Sequence, residues 1–98
     1  MPQVIITRTA LADIERLREF LRSKDAEAAQ EAGKTIIEAI HSLRQFPERG
    51  RNADWLGENF RELVIKFGGT GYIAIYRFDL DAAKVFILAL RHQKEAGY

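Results

Sequence analysis

Residues 61–90 read RELVIKFGGTGYIAIYRFDLDAAKVFILAL, and their periodicity decides the fold class. In RELVIKF, Leu63, Ile65 and Phe67 alternate with Glu62, Val64 and Lys66, the period of two that a strand with one covered face requires. GGTG (68–71) predicts a turn, and YIAIYRF (72–78) a second strand. DLDA (79–82) turns again, with Asp79 and Asp81 serving that turn. KVFILAL (84–90) is a continuous apolar run, expected as a strand buried on both faces. Two short turns between three strands predict an antiparallel meander.

Upstream the period changes. VIIT (4–7) is β-branched and predicts a short opening strand, with Thr9 as the expected N-cap of the helix that follows. Leu11, Ile14, Leu17 and Leu21 then recur at helical spacing, while Glu15, Arg18, Glu19 and Arg22 are spaced for surface ion pairs. SKD interrupts this pattern, and Asp25 caps a second helix whose stripe is Ala29, Ala32, Ile36, Ile40 and Leu43. Ala28, Ala29, Ala32 and Gly33 would let the two helices approach closely as an antiparallel hairpin. Pro47 stops the second helix, Gly50 and Gly57 punctuate the loop at 46–59, and Trp55-Leu56 is expected to fold back as an apolar plug. The expected architecture is α+β: an N-terminal strand, an antiparallel helical hairpin and a three-stranded antiparallel meander, with the hairpin on one sheet face.

Ninety-eight residues suit one domain, 1–98. Fifteen Lys and Arg against fourteen Asp and Glu leave a net charge of +1, too balanced for a chain that coats nucleic acid. With no cysteine there is neither a disulfide nor a thiolate metal site. No His/Asp/Glu spacing around His41 or His92 suggests a metal, and no cofactor motif stands out: GGTG lies between strands, without the helix N-terminus that a phosphate loop needs. MPQVIITRTALADIERL is neither a signal peptide nor a membrane span, so the cytoplasm is the expected compartment.

The remaining candidates are polar residues around the sheet. Arg61 opens the second strand, Arg77 closes the third, and Arg91, His92, Lys94 and Tyr98 follow the fourth in RHQKEAGY. In an antiparallel meander Arg61 and Arg77 share one end, while Arg91 and His92 leave at the other, near Phe67 and Tyr72.

Several of these residues also carry a family resemblance. The opening strand, T-x-x-A-x-x-D-I (Thr7 and Thr9 to Ile14), L-x-x-FPxxGR (Leu43 to Arg51), REL (61–63), GY-x-x-x-Y (Gly71, Tyr72, Tyr76) and the closing RHQKEAGY resemble the RelE/ParE superfamily of bacterial toxins from type II toxin–antitoxin modules. The similarity spans essentially the whole chain. It implies a microbial RNase-like fold and a cognate antitoxin whose C-terminal segment wraps the toxin in a hetero-oligomer. DNA binding would then belong to the antitoxin. Apolar and small residues on the helices, Leu11, Phe20 and Ala28, are the expected antitoxin contacts.

The superfamily holds two activities: RelE-like members cleave mRNA on the ribosome without a metal, and ParE-like members inhibit DNA gyrase and block replication. Cleavage needs an acid, a base and fixed cations around the phosphate. In the RelE-like pattern an arginine directly follows the Gly-Tyr of the third strand; here that residue is Ile73. Arg77 is four residues on, roughly 13 Å along the strand, and does not replace it. Lys66 stands alone where some cutters carry paired lysines. His92 and Tyr98 fall where catalytic residues of cutters stand, so on the nuclease reading His92 and Tyr98 act as acid and base with Arg61 and Lys66 in support. Over residues 44–66 the charges nearly cancel: Arg44, Arg49, Arg51, Arg61 and Lys66 against Glu48, Asp54, Glu58 and Glu62. The preferred expectation is therefore a gyrase inhibitor that binds its target through Arg61, Arg91, His92, Lys94 and Tyr98, with no catalytic residue. The alternatives are the endoribonuclease and a non-toxic member that only binds an antitoxin.

Overall fold

The computed structural model describes residues 1–95. Strand β1 (Gln3–Ile6) leads into helix α1 (Arg8–Arg22), then α2 (Ala26–His41). A two-residue strand β2 (Arg51–Asn52) precedes β3 (Phe60–Phe67), β4 (Thr70–Asp79) and β5 (Lys84–His92). Short 3₁₀ turns lie at Ser42–Arg44, Asp54–Leu56 and Gln93–Glu95. The sheet order is β1-β5-β4-β3-β2. The meander forms as its turns require, and β1 adds to it in parallel beside β5, with Val4 opposite Val85 and Ile6 opposite Ile87.

The N-cap of α1 is Thr7, not Thr9. Thr7 stays extended, its Oγ1 accepts from the Ala10 N–H at 3.3 Å, and the same hydroxyl donates to the Ile87 carbonyl at 2.7 Å. A residue that caps the helix and joins β5 as well is favoured over one that does only the first. Asp25 caps α2 as expected, accepting from the Glu27 and Ala28 N–H groups. The Glu15–Arg18 and Glu19–Arg22 pairs form on the surface of α1, where such pairs are worth about 0–1 kcal/mol each.

The hairpin covers one sheet face. Ile14 and Leu17 of α1 and Ala32, Ile36 and Ile40 of α2 pack on Leu63, Ile65, Tyr72, Ala74, Tyr76, Val85, Ile87 and Leu90. Strand alternation puts Val64, Ile73, Ile75 and Phe86 on the other face, which no helix among the described residues covers. KVFILAL is thus covered on one face only: Val85, Ile87 and Leu90 are buried, whereas Phe86, Leu88 and Ala89 are half-buried. A register shift at Ile75/Tyr76 restores alternation across the β4–β5 pair.

Trp55 and Leu56 do not form a plug; they are 63% and 39% exposed. Ala53 goes inward in their place, fully buried, because the Asn52 side chain accepts from the Asp54 N–H and turns the following residues outward.

Candidate binding groove and the loop clamp

His92 ends β5 opposite Tyr72, with its ring edge-on to the Tyr72 ring at 5.5 Å. The imidazole is held at both nitrogens: Nδ1 accepts from the Lys94 N–H at 3.1 Å, and Nε2 lies 3.2 Å from Thr70 Oγ1. Tyr72 belongs to the helix-covered face, so His92 faces α1. Together with Arg16, Leu17, Phe20, Leu21 and Lys94 these rings line an open groove of about 470 Å³. Its floor is apolar, and Arg16 and Lys94 bring cations to its lining. Arg16, Leu17, Phe20 and Leu21 fall on one side of α1 because they are one and four residues apart. Lys24 lies over the Phe20 ring at 5.1 Å.

The other sheet end is a clamp. The fully buried Tyr76 donates its hydroxyl to the Pro47 carbonyl at 2.7 Å and accepts from the Gly50 N–H at 2.9 Å. Burial pushes the Tyr76 phenol above its ordinary pKa, with the Gly50 hydrogen bond and nearby Arg61 pulling the other way. Arg61 Nη1 donates to the Glu48 and Gly50 carbonyls at 3.1 and 2.7 Å. Arg51 pairs with the buried Glu62 at 3.0 Å. A Cβ on Gly50 would come within 2.7 Å of Tyr76 and 2.8 Å of the Glu62 carbonyl, so only glycine fits. The FPERGR motif is therefore the receiving half of a lock whose key residues are Tyr76, Arg61 and Glu62.

The sequence candidates are divided by this geometry. His92 and Lys94 border the groove. Arg61, at the clamp, lies at the opposite sheet end, paired with Tyr76 while His92 pairs with Tyr72. Lys66 and Arg91 belong to the face that carries Ile73, opposite to that of His92. Arg91 also bonds Asp13 at 3.3 Å, and Arg77 pairs with Asp79 at 3.7 Å. Leu11 and Phe20 are 52% and 61% exposed but nine residues apart, on roughly opposite sides of α1; Leu11 lines a separate cleft between the helices. Ala28 is half-buried in the first turn of α2. Tyr98 lies outside the described residues. Tyr72 is expected near His92 from the meander, and the β4–β5 register bears that out, whereas Thr70 and Arg16 carry no sequence signal for the groove, because their meeting depends on the β3–β4 turn and the seating of α1.

Asp13, the aspartate of the T-x-x-A-x-x-D-I motif, was given no structural role by the sequence. Beyond Ile6 the edge of β5 has no strand partner among the described residues, and Asp13 Oδ2 accepts there from the Leu90 N–H at 2.9 Å. Thr7, Ala10 and Asp13 thus recur every three residues along the side of α1 that meets β5, which accounts for the motif.

Among the described residues no group of three or more His, Cys, Asp or Glu is placed to hold a metal, and no helix is long and apolar enough to cross a membrane. The fold and site define a class, a small α+β protein presenting an open, cation-rimmed groove of peptide or small-ligand size. The family model described as the ParE toxin of the type II toxin–antitoxin system parDE matches residues 4–97. Toxin RelE3 of Caulobacter vibrioides is 34% identical over 95 residues, 97% of this chain and 98% of that protein. Toxin RelE1 of the same organism is 35% identical over 92 residues, 94% of each chain. A solved structure from the chromosomal ParDE toxin–antitoxin system of P. aeruginosa matches with a TM-score of 0.76 at 22% identity, over 94% of this chain and 96% of that one, and so shares the fold. The chain belongs to the ParE/RelE family of toxins of type II toxin–antitoxin systems.

Proposed function

We propose that this toxin acts by binding DNA gyrase and blocking replication, and that a cognate antitoxin neutralises it. The observation that carries the reading is the division of the candidate cleavage residues. Lys66 lies on the sheet face that carries Ile73, His92 lies on the other, Arg61 is tied to the loop at the far end, and Tyr98 lies outside the described residues. General acid–base cleavage of RNA needs its proton donor, acceptor and phosphate-binding cations within hydrogen-bond reach of one phosphate. The arginines of the sheet instead bond the protein's own oxygens: Arg51 to Glu62, Arg61 to two carbonyls, Arg77 to Asp79 and Arg91 to Asp13.

The antitoxin segment lies across the hairpin, where Leu11 and Phe20 are exposed. Because Phe20 shares its groove with His92 and Lys94, a segment covering Phe20 covers them as well, which moves both from the target side to the antitoxin side. The groove's cations call for acidic residues in that segment. The cytoplasm is the compartment this reading requires.

A second reading, ribosome-dependent mRNA cleavage, is favoured by the RelE names of the relatives and by the doubly held His92 ring in an open groove. A supercoiling assay with purified gyrase, run beside an mRNA cleavage map from expressing cells, separates the two. Gyrase inhibition without cuts inside codons supports the proposal. Codon cleavage lost in His92→Ala would establish the nuclease instead.

A further inference from the structure

Trp55, Leu56 and Leu80 are large apolar side chains exposed at the sheet end remote from the groove, the last 66% exposed. They come from two separate turns, Asp54–Leu56 and the one between β4 and β5. Asp54 and Leu80 line one cleft of about 110 Å³, so the two turns sit side by side. Nothing in the core requires this exposure, since Ala53 fills the inward position. Large apolar side chains left exposed on two adjoining turns, rimmed by polar residues, make this end a candidate interaction surface.

The surface is pre-built. The Ala53 N–H donates to the Phe60 carbonyl at 2.9 Å, the Leu56 N–H to Ala53 at 2.9 Å, and the Phe78 N–H to Asn59 at 3.1 Å. The clamp of Arg61 and Tyr76 holds the adjoining loop. Little ordering is left for a partner to impose, which favours affinity.

Its charge selects the partner. Glu48, Asp54 and Glu58 line the cleft, and the lining arginine, Arg61, directs Nη1 at backbone carbonyls. A space of about 110 Å³ admits one guanidinium or ammonium group beside the lining Leu80, with the exposed Trp55 next in sequence to the lining Asp54. A phosphate backbone would meet three carboxylates there, so the occupant is a protein segment. Enzymes that hold DNA carry cationic tracks along its path, the complement of this cleft.

We propose that the Trp55–Leu80 end is where the toxin grips its target, taking a basic, apolar-flanked segment of gyrase. This rests on the gyrase reading above. It gives the molecule two working ends: an antitoxin groove at His92 and a target surface at Trp55.

The test is a supercoiling titration with purified gyrase, comparing wild type with Trp55→Ala/Leu80→Ser and with Glu58→Lys, all exposed positions. Antitoxin affinity, followed by calorimetry, reports folding. Each variant is expected to need about tenfold or more toxin for half-inhibition, the scale of losing an interface hot spot, with antitoxin affinity unchanged. If wild type inhibits and the variants inhibit equally, this placement is overturned while the gyrase reading stands. If antitoxin shifts Trp55 emission to the blue and the variants lose antitoxin, that partner occupies the surface. If sedimentation shows a wild-type dimer that Trp55→Ala dissolves, the occupant is a second copy. Wild type that leaves supercoiling intact removes both the reading and this inference.

Discussion

His92 and Ile73 lie on opposite faces of the sheet. His92 packs edge-on to Tyr72 under α1, and Ile73, the next residue of β4, pairs with Val64 and Arg91 on the uncovered side. Ile73 is only 4% exposed there, so even an arginine at this place would work from the other side of the sheet.

The hydrogen bonds at His92 fix its neutral tautomer. Nδ1 accepts from the Lys94 N–H, so the proton sits on Nε2 and is donated to Thr70 Oγ1. Long-range ¹H–¹⁵N spectra of the neutral ring should show an Nε2–H imidazole. A dominant Nδ1–H form would contradict the geometry.

Tyr76→Phe leaves the half-buried Pro47 carbonyl and the buried Gly50 N–H without their shared hydroxyl. A loss of about 1–3 kcal/mol in urea unfolding is expected. Gly50→Ala should cost at least as much, because its Cβ meets the Tyr76 ring and the Glu62 backbone.

Asp13→Ala strips the β5 edge of its acceptor and Arg91 of its carboxylate. The expected cost is about 1–3 kcal/mol. Asp13→Asn, which keeps an oxygen for the Leu90 N–H, should recover part of it. Equal losses in the two variants would assign the effect to charge rather than to the capped strand edge.

Burial raises the pKa of both Tyr72 and Tyr76. A folded-state pKa above the unfolded value means the native protein keeps protons that the unfolded chain gives up. Stability should therefore be flat with respect to these groups below about pH 10, the unfolded phenol value, and fall as pH rises beyond it. Thermal melts from pH 8 to 11 check this, and Tyr76→Phe should show a shallower alkaline decline.

The element order was legible because it is local. Period two in RELVIKF, period 3.6 across Leu11–Leu21 and the breaks at SKD, Pro47 and GGTG lie within a few residues of what they control. Thr7 displaced Thr9 as cap because its hydroxyl also reaches Ile87, eighty positions away. Trp55 was misplaced for a similar reason: apolar character marks a residue as suited to a core, while turn geometry and the room left by Ala53 decide which residue enters.

The sequence alone determined the order of strand, hairpin and meander, the caps set by neighbouring residues and the membership of the family. Tertiary structure alone decided that β1 joins β5, that His92 and Ile73 part to opposite faces, that Arg61 and Tyr76 lock the FPERGR loop, and that Trp55 and Leu80 share one end. The physical reason is range. Periodicity and capping act between residues a turn apart, whereas register and face depend on packing between segments that the chain brings together only when the whole sheet closes.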